Sequence, residues 1–214
     1  MSKEKVLNIL NKKEQKKLLT IFNERYPTSL RNKTMVRLML KSGLKLSETI
    51  NLKWNSFDFY SDKLSVKKDD LDRNLFLGDK TIKQVKKWRK KQEEIFVEKE
   101  ITDENDIVFT TLTGNQLSKS NVRSMIYNYA DKAGIQEEVT RYYRDDSGNI
   151  LDETYKAKKV TPNTLRHTFA FELYKLTNDI KIVQEKLGHK SIHSTKIYTD
   201  LVNDNRKKQM RFLD

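Results

Sequence analysis

The chain has 214 residues, enough to bury a real core as one large domain or two small ones. Its 43 Lys and Arg against 30 Asp and Glu give a net charge of +13, which favours a polyanionic partner such as nucleic acid or an anionic membrane face. The absence of cysteine excludes disulfides and thiolate metal sites, the three histidines lack metal-ligand spacing, and no apolar run is long enough for a membrane span or signal peptide, so an intracellular protein without metal or cofactor is expected.

In chain order, Leu18, Leu19 and Phe22 fall at helical spacing after a Lys-rich start. Thr28 and Ser29 can cap a second helix carrying Leu30, Val36, Met39 and Leu40, which Gly43 ends. From Phe57 to Leu77 the apolar residues come in short alternating runs, predicting a small antiparallel sheet. Asp79 opens a long charged helix running through Trp88 towards Glu98. After a loop around Val108 and Phe109, Ser118 can cap a helix bearing Val122, Met125, Ile126 and Tyr129, which stops at Gly134.

Between Val139 and Val160, the turn residues from Asp145 to Asn149 separate two aromatic-rich runs and predict a hairpin within 139–160. Arg141, Arg144, Lys156, Lys158 and Lys159 on its rim read either as an arm laid on DNA backbone or as part of a solvated insertion. No repeat, low-complexity tract or Pro- or Ser-rich linker marks a domain boundary.

Thr161 is a good N-cap and Pro162 suits the first helical position, so Asn163, Arg166 and His167 fall on one face of the next helix. Leu165, Phe169, Leu173 and Leu176 form the opposite, buried stripe. A helix start favours an anion through its free N–H groups, and Arg166 adds a planar fork that can bind two phosphate oxygens. Asp179 begins a further helix ended by Gly188, which leaves His189 at a turn where a side chain can be aimed at a ligand. Tyr198 follows on a short helix that Ser191 can cap.

These residue types suit one reaction, attack of a phenolic oxygen on a phosphodiester. Such an attack must overcome a hydroxyl pKa of about 10 and the charge building on the phosphoryl oxygens. Cationic donors address both, each preorganised donor contributing on the order of 3 kcal/mol to the transition state. Because the phosphate ends esterified to tyrosine, rejoining needs neither ATP nor metal.

The ordered set Thr161-Pro162-Asn163-Thr164-Leu165-Arg166-His167, Leu187-Gly188-His189 and Thr195-Lys196-Ile197-Tyr198 resembles the tyrosine recombinase (phage integrase) family, and the resemblance runs from about Leu10 to Tyr198. It implies an α+β, mostly α-helical catalytic domain with a small antiparallel β-sheet, the fold of DNA breaking-rejoining enzymes. It also implies an extension over 1–9, the catalytic domain over 10–199 and a tail over 200–214. By the same resemblance Tyr198 is the nucleophile, Arg166 the second catalytic arginine and His189 the late histidine that binds the phosphate. Gly43-Leu44-Lys45-Leu46-Ser47-Glu48 looks like the segment that carries the first catalytic arginine, here replaced by Lys45. Leu64 to Leu77 is similar to the hairpin bearing the lysine that protonates the leaving 5′ oxygen; counting back from Arg73 favours Lys68, with Lys67 the alternative. Asn163 stands where the family usually has histidine or lysine, and an amide cannot serve as a base. His167 reads as a structural hydrogen-bonder. Lys67, Arg73, Arg141, Arg144, Lys158 and Lys159 are the candidate DNA contacts.

The implied activity is site-specific cleavage and rejoining of duplex DNA through a 3′-phosphotyrosine, in the cytoplasm on nucleoid DNA, by a homo-oligomer that is dimeric on each site and tetrameric in synapsis. The family's usual N-terminal helical domain is not among these residues, which resembles single-domain members such as fimbrial invertases or a catalytic fragment. In the resemblance the apolar residues Leu201, Val202, Met210, Phe212 and Leu213 dock the tail on a neighbouring subunit; packing on the chain's own core is the other reading. The rival functions are a DNA-binding regulator on the same scaffold, a strand-nicking topoisomerase and a basic helical RNA-binding module.

Overall fold

The computed structural model describes residues 7–67, 72–102, 104–145 and 149–210, without the side chains of Arg144 and of 205–210. Helix α1 (Lys12–Thr20) opens on a capping box, Asn11 accepting from the Glu14 N–H at 2.9 Å while the Glu14 carboxylate accepts from the Asn11 N–H at 2.8 Å. Helix α2 (Pro27–Ser42) starts slightly earlier than Thr28 and Ser29 suggest, with Tyr26 at the N-cap and Pro27 in the first turn, where a fixed φ and a missing N–H cost nothing. It ends as expected at Gly43, whose φ of 65° suits glycine. A short helix α3 (Leu46–Ile50), unannounced by any periodicity, follows at once.

Strands β1 (Phe57–Asp58), β2 (Lys63–Val66) and β3 (Arg73–Phe76) form the expected antiparallel sheet in sequence order. Leu64 sits opposite Phe57 on one side and Leu75 on the other, so all three turn the same face inward. Helix α4 (Asp79–Glu98) and helix α5 (Lys119–Lys132) occupy the predicted spans, α5 capped by Ser118 accepting from the Asn121 N–H. Strands β4 (Glu138–Arg144) and β5 (Ile150–Lys158) form the predicted hairpin. The chain closes with α6 (Pro162–Thr177), α7 (Ile180–Leu187) and α8 (His193–Met210).

Helix α2 is the hub of the core. Leu30, Met35, Val36, Leu38, Met39 and Leu40 are all buried on it, and α4 and α6 pack against it. Each such side chain contributes about 1.5–3 kcal/mol when fully buried. Trp88 on α4 is 1 % exposed and donates its Nε1–H to the Val108 carbonyl, which fixes the connection to α5.

A second, smaller apolar cluster joins Ala170, Val183, Leu187 and Tyr198, and so holds α6, α7 and α8 together. The stripe on α6 holds at Leu165, which is buried, and at Phe169 and Leu173, which pack on the second cluster, but Leu176 is 83 % exposed, and Ala170 and Phe171 are buried as well. Helix α6 contacts α2 as well as α7 and α8, so its apolar surface wraps more than one side. Helix α8 is long rather than short and runs through the expected boundary at 199–200. Val202 is 1 % exposed and Leu201 packs on the second cluster, so this part of the tail covers the chain's own core. Phe212 and Leu213 lie outside the described residues.

Candidate active site

The candidate catalytic residues come from four elements and meet at one cavity of about 460 Å³. Lys45 reaches it from the N-cap of α3, Asn163, Arg166 and His167 from the first turns of α6, His189 from the turn after α7, and Tyr198 from α8. Thr161 performs the capping read from the sequence, accepting from the Thr164 N–H at 3.2 Å. That cap sets the helical phase that brings Asn163, Arg166 and His167 to the same side.

Arg166 is 5 % exposed and braces the site. Its guanidinium donates to the Gly43 carbonyl and to the Leu187 carbonyl, both at 2.7 Å, which ties the end of α2 to the end of α7. Burial pushes its pKa down to about 10, with Glu48 pulling it up and Arg73 pushing it down, so it stays charged at neutral pH. Gly43 cannot be replaced cheaply: besides its positive φ, a Cβ there would lie 2.4 Å from the Phe169 ring.

Beneath the cavity floor lies a buried ionic cluster. Arg73 grips Glu48 with both terminal nitrogens, at 3.1 and 2.7 Å, and Glu48 also accepts from the Lys45 N–H at 2.7 Å and lies 3.9 Å from Arg166. Burial alone would raise the Glu48 carboxyl, but the hydrogen bonds and charge of Arg73, the Lys45 N–H and Arg166 outweigh it and hold its pKa below the ordinary value. Gly188 rests on the Arg73 guanidinium so closely that a Cβ would lie 2.6 Å from it. The cluster therefore sets the height of both Lys45 and the turn bearing His189. Substituting Glu48→Ala leaves two buried guanidiniums without their shared carboxylate and lowers the unfolding free energy by about 3–5 kcal/mol, measurable by urea denaturation. A loss under 1 kcal/mol would show that the cluster does not brace the site.

His189 donates or accepts through Nδ1 with the Thr195 hydroxyl at 2.9 Å. With Thr195 donating, the ring proton sits on Nε2, the nitrogen left for the cavity. Burial first, then the charges of Arg166, Lys45 and Arg73, push the His189 pKa down to about 4. Tyr198 is 2 % exposed, and burial pushes its hydroxyl up to about 12, with Arg166 opposing. Its hydroxyl meets His167 Nδ1 at 2.8 Å. His167 is thus a hydrogen-bonder, and the Tyr198 hydroxyl is one of its partners.

Two basic cavity residues escaped the sequence reading. Lys119 and Arg123 lie one turn apart on α5, which packs against α3, and both line the cavity. Their i, i+4 spacing was the available signal, and on an exposed face it also fits ordinary solvated charge.

The candidate DNA contacts fare differently from one another. Lys67 is exposed on a neighbouring groove that shares Ser47 with the cavity. Lys68 lies outside the described residues. Arg73 is 5 % exposed and committed to Glu48, so its alternation within the sheet turns it inward rather than towards DNA. Lys159 is held by Glu14 at 3.0 Å and by Glu137, and Lys158 lies 3.7 Å from Glu138. Hydrogen bonding to Glu137, against some desolvation, raises the Lys159 pKa. Arg141 sits within β4 opposite Tyr155, and the Arg144 side chain lies outside the description. From 138 to 158 the sequence sets Arg141, Arg144, Lys156 and Lys158 against Glu138, Asp145, Asp146, Asp152 and Glu153, so these two strands and their turn carry nearly balanced charge. Among the described residues no cluster of His, Asp or Glu could hold a metal ion, and no helix is long and apolar enough to cross a membrane.

The model of the phage integrase family matches residues 8–205. The chain is 28% identical over 193 residues to tyrosine recombinase XerC of Mannheimia succiniciproducens, covering 90% of this chain and 56% of that protein. It is 27% identical over 192 residues to tyrosine recombinase XerD of Listeria monocytogenes, covering 89% and 57% respectively. The chain thus spans little more than half the length of these relatives. Its fold matches the crystal structure of XerA recombinase with a TM-score of 0.73 at 24% identity, over 99% of this chain and 66% of that one. It also matches XerH site-specific recombinase bound to palindromic difH substrate in a post-cleavage complex, with a TM-score of 0.70 at 22% identity, over 96% of this chain and 53% of that one.

Proposed function

The chain belongs to the phage integrase family, and from that premise we propose that it is a site-specific DNA recombinase that cuts and rejoins strands through a 3′-phosphotyrosine at Tyr198. The observation that carries this reading is the convergence of Lys45, Arg166, His189 and Tyr198, from four separate elements, on one cavity. The Tyr198 oxygen attacks the phosphorus, the bond to the 5′ oxygen breaks, and the departing oxygen takes a proton from a lysine of the β2–β3 segment, Lys67 or Lys68. Arg166, Lys45 and His189 bear the charge that builds on the non-bridging oxygens. Lys45 keeps the positive charge of the usual arginine without its bidentate fork, so this chemistry runs more slowly than with arginine at that position. Lys119 and Arg123 extend the cationic wall along the DNA backbone. The partner is duplex DNA, the working form an oligomer assembled on it, and the compartment the cytoplasm.

Incubation with a pool of nicked duplexes followed by a denaturing gel tests the reading. A slow-migrating protein–DNA species is expected. Tight duplex binding with no such species under any condition would leave a regulator, and preference for RNA over duplex would discard DNA recombination altogether.

His189 gives the site a pH signature. Its folded pKa of about 4 lies below the ordinary value of 6.5, so the unfolded chain binds the proton first, and this group costs the free protein stability as pH falls from above 6.5 towards 4. A bound phosphodiester favours the imidazolium, so DNA binding takes up a proton and tightens over the same interval at constant salt. Fluorescence anisotropy between pH 7 and pH 5 should show that tightening, with a smaller slope in His189→Gln. Equal slopes would remove His189 from phosphate contact.

A further inference from the structure

Tyr198 has to lose a proton, and the position where the family usually carries a histidine or lysine holds Asn163, whose amide cannot accept one. One turn further along α6, on the same face, His167 lies 2.8 Å through Nδ1 from the Tyr198 hydroxyl. We propose that His167 is the general base of this site, taking over the proton-accepting work that Asn163 cannot perform. The proposal rests on the reading of Tyr198 as the nucleophile of strand cleavage.

The step balances without any further reactant. The phenolic proton passes to Nδ1 of a neutral His167 that carries its own proton on Nε2. The phenoxide oxygen bonds to phosphorus, the bond from phosphorus to the 5′ oxygen breaks, and the 5′ oxygen is protonated by the lysine of the β2–β3 segment. Rejoining runs in reverse, with the His167 imidazolium returning its proton to the departing tyrosine oxygen, which requires neither nucleotide nor metal.

The surroundings suit a base that works only with DNA in place. His167 shares the cavity with Arg166 on its own helix, Lys45 from α3, Lys119 and Arg123 from α5, His189 after α7 and Tyr198 on α8; Glu48 and Arg73 lie beneath, behind Arg166. Cations around an imidazole oppose its taking a second proton, and an incoming phosphate offsets them. Proton transfer and phosphate binding are coupled in this way. The ring of Tyr198 packs in the second apolar cluster and is tilted at 48° to His167, so the hydroxyl reaches Nδ1 without the ring leaving its seat.

The test is single-turnover adduct formation on the nicked duplex that the wild type enriches from the pool, followed across pH for wild type, His167→Ala, His167→Gln and the double variant His167→Ala with Asn163→His. A melting curve for each confirms folding, and His167→Gln preserves side-chain volume if the alanine variant is unstable. His167→Ala should slow adduct formation by about 10²–10⁴-fold, the range for a positioned general base. It should lose the acidic limb of the pH profile, recover at least about tenfold with added imidazole, and recover in the double variant. A wild-type or faster rate in His167→Ala would show that the hydrogen bond only parks the tyrosine. A slow rate that imidazole does not rescue and that keeps the wild-type pH profile would make His167 structural. No adduct from the wild type itself would remove the nucleophile reading and this proposal with it.

Discussion

A Tyr198→Phe variant is expected to form no covalent DNA adduct and still to bind duplex DNA as the wild type does. The substitution deletes one oxygen, so the change in stability follows from one lost hydrogen bond. Tyr198 is 2 % exposed and its ring packs with Ala170, Val183 and Leu187, contacts that phenylalanine keeps. The hydrogen bond to His167 is lost, a change of about 0.5–1.5 kcal/mol that shifts the melting temperature without unfolding the domain. Binding should be spared because the anion-holding groups proposed above, Arg166, Lys45 and His189 with the wall from α5, line the cavity independently of the hydroxyl. Denaturing gels, melting curves and anisotropy on the same preparation separate these effects. Persistence of the adduct in the phenylalanine variant would assign the nucleophile to another residue.

Arg166→Ala has the second large effect, and it appears in two measurements at once. Removing a preorganised donor from a developing oxyanion slows the chemical step by on the order of 10²–10³-fold. The same truncation leaves the buried carbonyls of Gly43 and Leu187 without their donor, each costing about 1–3 kcal/mol. The midpoint in urea therefore falls together with the single-turnover rate. Arg166→Lys retains charge, but one ammonium cannot reproduce a planar fork that spans the ends of α2 and α7, so both readouts should lie between alanine and wild type. If the folded fraction of Arg166→Ala forms adduct at the wild-type rate, the arginine is a brace and the phosphate is held elsewhere.

The part of this molecule legible in the sequence is the part governed by neighbouring residues. Asn11 lay unread, yet Ser118, Thr161 and Asp179 cap the helices they announce, and Gly43 and Gly188 end theirs at positive φ. The spacing of Asn163, Arg166 and His167 follows from the Thr161 cap alone, so one face of the site could be drawn in advance. The tertiary pairings could not. Arg73 and Glu48 lie 25 residues apart, and only the assembled β3, α3 and α7 turn an arginine that reads as a DNA contact into part of the ionic cluster beneath the cavity. The partnership of His167 with Tyr198 spans 31 residues and depends on how α8 crosses α6. Lys119 and Arg123 carry no local mark that separates a cavity wall from solvated charge. In the hairpin the strands were readable from turn chemistry, whereas its charge balance required counting acidic against basic residues along its length.

The atom that carries the DNA identifies the nucleophile. The protein should be trapped on a nicked duplex and digested, and the nucleotide-bearing peptide sequenced by mass spectrometry. The predicted result is a single modified peptide with the phosphodiester on Tyr198, joined to the 3′ end of the cleaved strand and leaving a free 5′ hydroxyl. A nucleotide on any other residue, or a linkage to the 5′ end, would contradict the assignment of the cavity formed by Lys45, Arg166, His189 and Tyr198 as the place where strands are cut.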